Sequence, residues 1–289
     1  MIFTRVVVPV VVAVGLVAVL GAGGPDPGVA LGAQRLIAER AAEADDALRA
    51  LDDALGPPLQ AARDGAARTA AGTELPGPFL TDAGAALLRA EPLADRVGAA
   101  MRALDAARRA ADPAMAPLGS PVGDGELGTL GAEIGALAPS ADGFAQLRMR
   151  AEGFGTLLAD ALDAIAASDP ATARDLLAQA RADHEAIEAA ELGLDALPVW
   201  IDTSAELLDA ADALVEAVAD GDAAAAQAAS DAIERIRPDA VFADRALRIS
   251  MSEGAGVMLE GPPARVAELV RRVQATRDEV ALILHAVGR

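Results

Sequence analysis

His184 and Glu188 have the one spacing in this chain that suggests a metal-ligand pair. They are four residues apart, so they would share one face of a helix. A dinuclear carboxylate site needs Glu three residues before each His, but residue 181 is Arg, and zinc proteases need a second His at position 188. His184 and Glu188 are therefore a candidate ligand or metal site. The interpretation we favour for His184 is a solvated histidine on a helix face.

The other motifs that could do chemistry are incomplete. A calcium loop beginning at Asp220 would need Gly at its sixth position and Glu at its twelfth, where the chain has Ala225 and Asp231. The glycine-rich residues 123–131 contain no Lys for a phosphate loop, and no Ser stands in a Gly-x-Ser-x-Gly elbow. We therefore predict no catalytic residue and no cofactor, and we favour binding over catalysis.

Composition excludes several classes of protein. The 289 residues include no Cys and no Lys, which removes zinc fingers, thiol nucleophiles, disulfide frameworks and Schiff-base lysines. The formal charge of −20 would repel the phosphates of nucleic acid, so no nucleic-acid partner is predicted. Hydrophobic residues make up 53% of the chain but aromatic residues only 2%, so the core must be built from Ala, Leu and Val.

Trp200 is the single tryptophan, and we expect it in a loop between two helices. An aromatic residue in a loop is a candidate anchor for a partner protein. A buried position, with the ring closing one end of a helical bundle, is the interpretation we favour for Trp200.

Residues 6–23 predict a membrane-directed segment. They carry no charge, follow Arg5, and precede a cluster of Gly and Pro at residues 24–28. Eighteen helical residues span about 27 Å, which suits either an uncleaved signal anchor or a secretory signal cleaved after Ala30. The predicted location is the cytoplasmic membrane with an extracytoplasmic body, or the secreted fraction if the segment is cleaved.

The rest of the chain predicts an all-α protein, an antiparallel bundle of about eight to ten helices behind the apolar segment. Ala, Leu, Arg and Glu predominate, and the alternation of β-strands is absent. The first helix should end, or alternatively kink, where residues 56–58 read Gly-Pro-Pro. It carries a narrow apolar stripe at Ile37, Ala41, Ala44, Leu48, Leu51 and Leu55, continued by Leu59.

Short connections predict the ends of several later helices. Asp169 before Pro170 predicts a capped helix start, and Gly221 followed by Asp222 closes one helix and opens the next. Thr203 and Glu206 have the spacing of a capping box, so a helix start is predicted there. The final helix is predicted over residues 262–287, with its apolar face at Val266, Leu269, Val270, Val273, Val280, Ile283, Leu284 and Val287.

Residues 112–125 contain three Pro and several Gly, and they predict a boundary. We therefore expect residues 1–28 as the anchor or signal with its linker, 29–112 as a membrane-proximal helical hairpin, and 126–289 as a C-terminal bundle.

The sequence favours a cell-envelope protein that acts outside the cytoplasmic membrane by protein interaction or scaffolding. Its expected contacts are the membrane, through residues 6–23, and an envelope protein or a second copy of the chain. The alternative is an extracytoplasmic helical module that binds a ligand or a metal, with His184 and Glu188 as candidate ligands and Trp200 as the candidate interaction residue.

Overall fold

The computed structural model describes residues 27–71, 74–188 and 192–287, which form six α-helices and no β-strand. The helices are α1 (Pro27–Ala71), α2 (Gly77–Ala111), α3 (Glu126–Ala166), α4 (Pro170–Glu188), α5 (Leu197–Asp220) and α6 (Ala223–Val287). The predicted all-α class is confirmed. The predicted number of eight to ten helices is wrong for the residues described.

The number was wrong because several prolines lie inside helices instead of ending them. Pro57 and Pro58 are internal to α1, whose apolar stripe continues across them from Leu55 through Pro58 to Ala62, all buried. An internal proline costs a helix about 3 kcal/mol. Continued burial of the stripe on both sides offsets that cost, so α1 extends over 45 residues.

Helices α2 and α6 are also longer than the sequence predicts. Pro92 lies inside the 35 residues of α2, with Leu87 and Val97 buried on either side. The final helix was expected over residues 262–287 and is the last part of α6, which has 65 residues.

The turn before α4 and the turn after α5 form as the sequence predicts. Asp169 accepts hydrogen bonds from the hydroxyl of Thr172 at 2.7 Å and from its backbone N–H at 3.1 Å, and these bonds lower the pKa of the Asp169 carboxyl. Gly221 ends α5 in the left-handed conformation with φ of 70°, and Asp222 accepts hydrogen bonds from the N–H groups of Ala224 and Ala225.

The capping box predicted at Thr203 is wrong. Helix α5 begins six residues earlier, at Leu197, because Pro198 suits the first turn of a helix. Thr203 therefore lies inside the helix, where its hydroxyl donates to the carbonyl oxygen of Val199 at 2.7 Å. Its side chain bonds within the helix instead of capping an N-terminus.

The chain forms two compact units. Among the described residues, unit 1 consists of 27–63, Phe79–Ala136 and 261–287, and unit 2 consists of 64–71, 74–78, 137–188 and 192–260. The predicted division into residues 1–28, 29–112 and 126–289 stays a prediction.

In unit 1 the predicted stripe of α1 is buried, and the predicted face of α6 is buried in part. The six residues of α1 from Ile37 to Leu55 are at most 1% exposed. On α6, Val266, Leu269, Val273 and Val280 are fully buried, whereas Val270, Ile283 and Leu284 are half-buried. Gln34 donates to the carbonyl oxygen of Val287 at 3.0 Å, whereas Asp52 accepts from Gln274. Gln34 comes before Asp52 in α1, whereas its partner Val287 comes after Gln274 in α6. Helices α1 and α6 are therefore antiparallel here.

Helices α2 and α3 of unit 1 approach each other through glycine. A Cβ atom added at Gly84 would lie 2.5 Å from the backbone oxygen of Gly131. No side chain fits at that distance, so the two backbones are closer than any other residue at position 84 would allow. A Cβ added at Gly135, one turn further along α3, would meet nothing within 4 Å.

A buried ion pair holds the connection between α2 and α3. The predicted breaker region is non-helical over residues 112–125. Asp105 pairs with Arg108 at 3.0 Å, and both side chains are less than one tenth exposed. The same carboxylate accepts a hydrogen bond from the backbone N–H of Leu118 at 3.0 Å, so the buried charge is satisfied by two donors.

Unit 2 packs the later part of α3 with α4, α5 and the first part of α6. Its core includes Phe144, Leu147, Leu177, Leu208 and Leu247. Ion pairs at the surface link α4 to α5 in antiparallel order, since Arg174 bonds Glu216 while Arg181 bonds Asp209 and Asp212.

Within the described residues, none of the helices has the length and apolar character needed to cross a membrane. The apolar segment predicted over residues 6–23 lies outside the described part of the chain.

The glycine contact in unit 1 predicts opposite effects for two similar substitutions. Gly84→Ala should destabilise the protein by about 1–3 kcal/mol, because the new methyl group forces α2 and α3 apart. Gly135→Ala should stabilise it by about 0.5–1 kcal/mol, because alanine favours the helix and the methyl group meets no atom. Urea unfolding followed by circular dichroism measures both, and equal effects of the two substitutions would contradict the close approach.

Candidate functional site

Three rings from three helices of unit 2 pack together. Phe154 of α3, His184 of α4 and Trp200 of α5 each contact the other two rings. The Phe154 and Trp200 rings meet edge to face with centroids 5.2 Å apart, and the His184 and Trp200 rings stack at 5.9 Å. Such aromatic pairs contribute about 0.5–1.5 kcal/mol beyond the area they bury. We call these three residues the aromatic cluster.

His184 is a core residue, so the interpretation of a solvated histidine is wrong. It is 6% exposed, and its Nε2 atom lies 3.0 Å from the carbonyl oxygen of Ile201. A carbonyl oxygen only accepts hydrogen bonds, so Nε2 carries a proton and donates. The sequence did contain a signal for this burial, because His184 continues the buried positions Ala173, Leu177, Ala180 and Ile187 of α4 at helical spacing.

The structure does not bring further metal ligands to His184. Glu188 lies one turn further along α4 and is exposed. Among the described residues, no group of three or more His, Asp or Glu side chains is arranged to hold a metal ion. Metal binding by His184 and Glu188 stays a prediction from their spacing.

Trp200 lies in the first turn of α5 instead of in a loop, because that helix begins at Leu197. It is 3% exposed, in agreement with the buried position favoured from the sequence. Its candidate role as an anchor for a partner protein stays a prediction.

A groove of about 780 Å³ opens beside the aromatic cluster in unit 2. Along α3 it extends from Ala151 to Ala166, which is about 22 Å at the rise of an α-helix. Helices α5 and α6 supply the rest of its wall. The large apolar side chains that line it are Phe154, Leu158, Leu162, Ile165, Trp200, Leu207, Leu214, Ile233 and Val241.

The groove stays open because small residues line part of its wall. Gly155 and Ala159 line it on α3, and Ala240 lines it on α6. A Cβ added at Gly155 would meet nothing within 4 Å. The space therefore has room for a larger side chain or for a ligand.

Two serines lie among the apolar side chains of the groove, Ser204 of α5 and Ser230 of α6. Ser204 is 4% exposed and is the more deeply buried of the two. A hydroxyl group both donates and accepts hydrogen bonds, so Ser204 offers a polar contact to a ligand in the groove.

Four charged side chains also line the groove: Asp163, Glu234, Arg237 and Asp244. Asp244 bonds Arg248 at 2.8 Å. For Asp163, Glu234 and Arg237, which are exposed, no ion pair is found within the described part of the chain.

Sequence analysis identified Trp200 but not the groove beside it. The lining residues come from three helices, and the first of them, Ala151, is 93 positions before the last, Asp244. Since no local pattern connects residues 151–166 with residues 230–244, only the packed structure shows that they face the same space.

No protein-family model, no curated protein and no solved structure matches this chain. The account of the site therefore depends on its own residues.

Burial of His184 predicts a large effect for its removal and a small one for Glu188. His184→Ala should lower the free energy of unfolding by about 2–4 kcal/mol, because it leaves a cavity against Trp200. It should also shift the Trp200 emission to longer wavelength as water enters. Glu188→Ala is the control and should change stability by less than about 0.5 kcal/mol. Similar effects for both variants would contradict the aromatic cluster.

Proposed function

We propose that the protein is a non-catalytic binding protein and that the groove of unit 2 is its binding site. The observation that carries the proposal is an open groove of about 780 Å³ beside the only tryptophan of the chain. Sites for small organic ligands are concave, mostly apolar, and about 300–1,000 Å³ in volume. The groove has these properties.

The chemistry of the wall favours an elongated, mainly apolar ligand. Leucine side chains and two aromatic rings offer dispersion contacts along the groove, and apolar burial gives about 25 cal/mol per Å². Ser204 offers one hydrogen bond at depth. A ligand with an alkyl or aromatic body and a small polar group would satisfy both, and the proposal is for an organic ligand instead of a metal ion.

For the location we propose what the sequence favours, a body outside the cytoplasmic membrane. The support is the uncharged run of residues 6–23 behind Arg5. The mass of the mature chain distinguishes the two forms, because a chain that lacks its first residues is secreted and an intact chain in the membrane fraction is anchored.

Filling the groove tests the proposal. Decanol, which has an apolar chain and one hydroxyl, should bind the wild-type protein with one-to-one stoichiometry and change the Trp200 emission. Gly155→Leu places a large side chain where the wall is open, and it should weaken decanol binding at least about tenfold. Ala240→Leu, on the opposite wall, is a second variant with the same expected result.

Gly256→Leu is the matched control. Gly256 lies on α6 in unit 2 outside the groove, and a Cβ added there also meets nothing within 4 Å. This variant should bind decanol as the wild type does. Absence of decanol binding by the wild type, or equal binding by all three variants, would contradict the groove as the site.

A second candidate function is protein interaction or scaffolding in the cell envelope, with an envelope protein or a second copy of the chain. The observation that favours it is an exposed apolar face on α6, where Phe242 is 70% exposed and Ile249 is 50% exposed. Seven residues separate them, so they lie on the same side of the helix.

The second candidate predicts association through that face. Sedimentation velocity at increasing protein concentration should show a dimer. Phe242→Gln should weaken this dimer. Arg49→Ala, a substitution on an exposed face of α1, is the control and should leave it unchanged. A wild-type monomer at all concentrations would remove the second copy as the partner.

A further inference from the structure

The negative charge of the chain is concentrated in unit 2. The segments Asp64–Pro78 and Leu137–Glu260 contain 26 Asp and Glu residues and 9 Arg residues, which is a formal charge of −17 out of the −20 of the whole chain. Unit 1 has 18 acidic and 15 basic residues, so it is close to neutral by comparison. The groove therefore lies in the part of the protein with the strongly negative field.

The charged groups that line the groove are also mainly negative. Asp163 and Glu234 are carboxylates without an ion-pair partner in the described residues, and Asp244 is compensated by Arg248. Arg237 is the one basic group of the wall. Two uncompensated carboxylates and one guanidinium leave a local excess of negative charge, which adds to the charge of the unit.

We infer that the ligand of this groove is a cationic amphiphile, with an apolar chain along the leucine-lined wall and an ammonium group facing Asp163 and Glu234. The inference rests on the proposed function, because it names the chemical class of ligand for the same groove. A cation gains from the nearby carboxylates and from the negative field around the unit, whereas an anion has only Arg237 as a partner.

Three ligands with the same ten-carbon chain separate the contribution of charge from the contribution of apolar contact. Decylamine, decanol and decanoate are titrated into the full chain below their aggregation concentrations, with calorimetry and Trp200 emission as readouts. At low ionic strength decylamine should bind about tenfold more tightly than decanol, and decanoate more weakly than decanol. In about 0.5 M salt the difference should shrink to about threefold or less, because the charges are exposed and screened.

Charge variants locate the effect. Asp163→Asn and Glu234→Gln should each reduce decylamine affinity about threefold at low ionic strength and leave decanol affinity unchanged. Glu185→Gln is the control, since it removes one exposed carboxylate of unit 2 from α4, a helix that contributes no residue to the groove. It should change decylamine affinity by less than about 1.5-fold.

The outcomes separate the inference from the proposed function. Equal binding of the three ligands, or tightest binding of decanoate, would overturn the cationic ligand and leave the groove as a binding site. A decylamine preference that Glu185→Gln reduces as much as Asp163→Asn does would also overturn it, because the carboxylates of the groove would then have no special role. Absence of binding by all three ligands would overturn the proposed function itself.

Discussion

Side-chain size is the constraint on which this structure depends. The chain is 53% hydrophobic but only 2% aromatic, so its helices pack through Ala, Gly and Leu. Such helices approach closely, and between α2 and α3 the approach is close enough to require Gly84. Each buried alanine contributes little area, so stability accumulates along long contacts instead of at a few bulky residues. Long contacts need long helices, and α1, α2 and α6 remain helical through their internal prolines.

The same shortage of large side chains explains the groove of unit 2. Phe154, Trp200 and His184 fill one part of the unit and pack ring against ring. Beside them, the walls carry residues as small as Gly155 and Ala159, and no side chain closes the space between α3, α5 and α6. In the proposed function, this unfilled apolar groove beside the aromatic cluster is where the ligand binds.

Sequence patterns predicted the features that depend on neighbouring residues. The stripe from Ile37 to Leu55 and the cap at Asp169 follow from helical spacing and from a carboxylate placed before a first turn, and both are confirmed. The number of helices was overestimated because an internal proline ends a helix or not according to how much apolar surface is buried on both sides of it. A rule based on neighbouring residues in the sequence does not include that burial. His184 was assigned to solvent because no ligand motif around it is complete, although its spacing matches the buried positions of α4. The groove could not be predicted, because helices far apart in the chain form it.

The central claim is that an apolar site adjoins Trp200, and emission from this single tryptophan tests it most directly. A bromine atom quenches tryptophan emission at short range, so 10-bromodecanol should quench Trp200 saturably, at the concentration at which decanol binds. Iodide, which stays in water, should quench weakly because the ring is 3% exposed. Quenching by iodide as strong as that of free tryptophan, or quenching by 10-bromodecanol that rises linearly without saturation, would contradict the account.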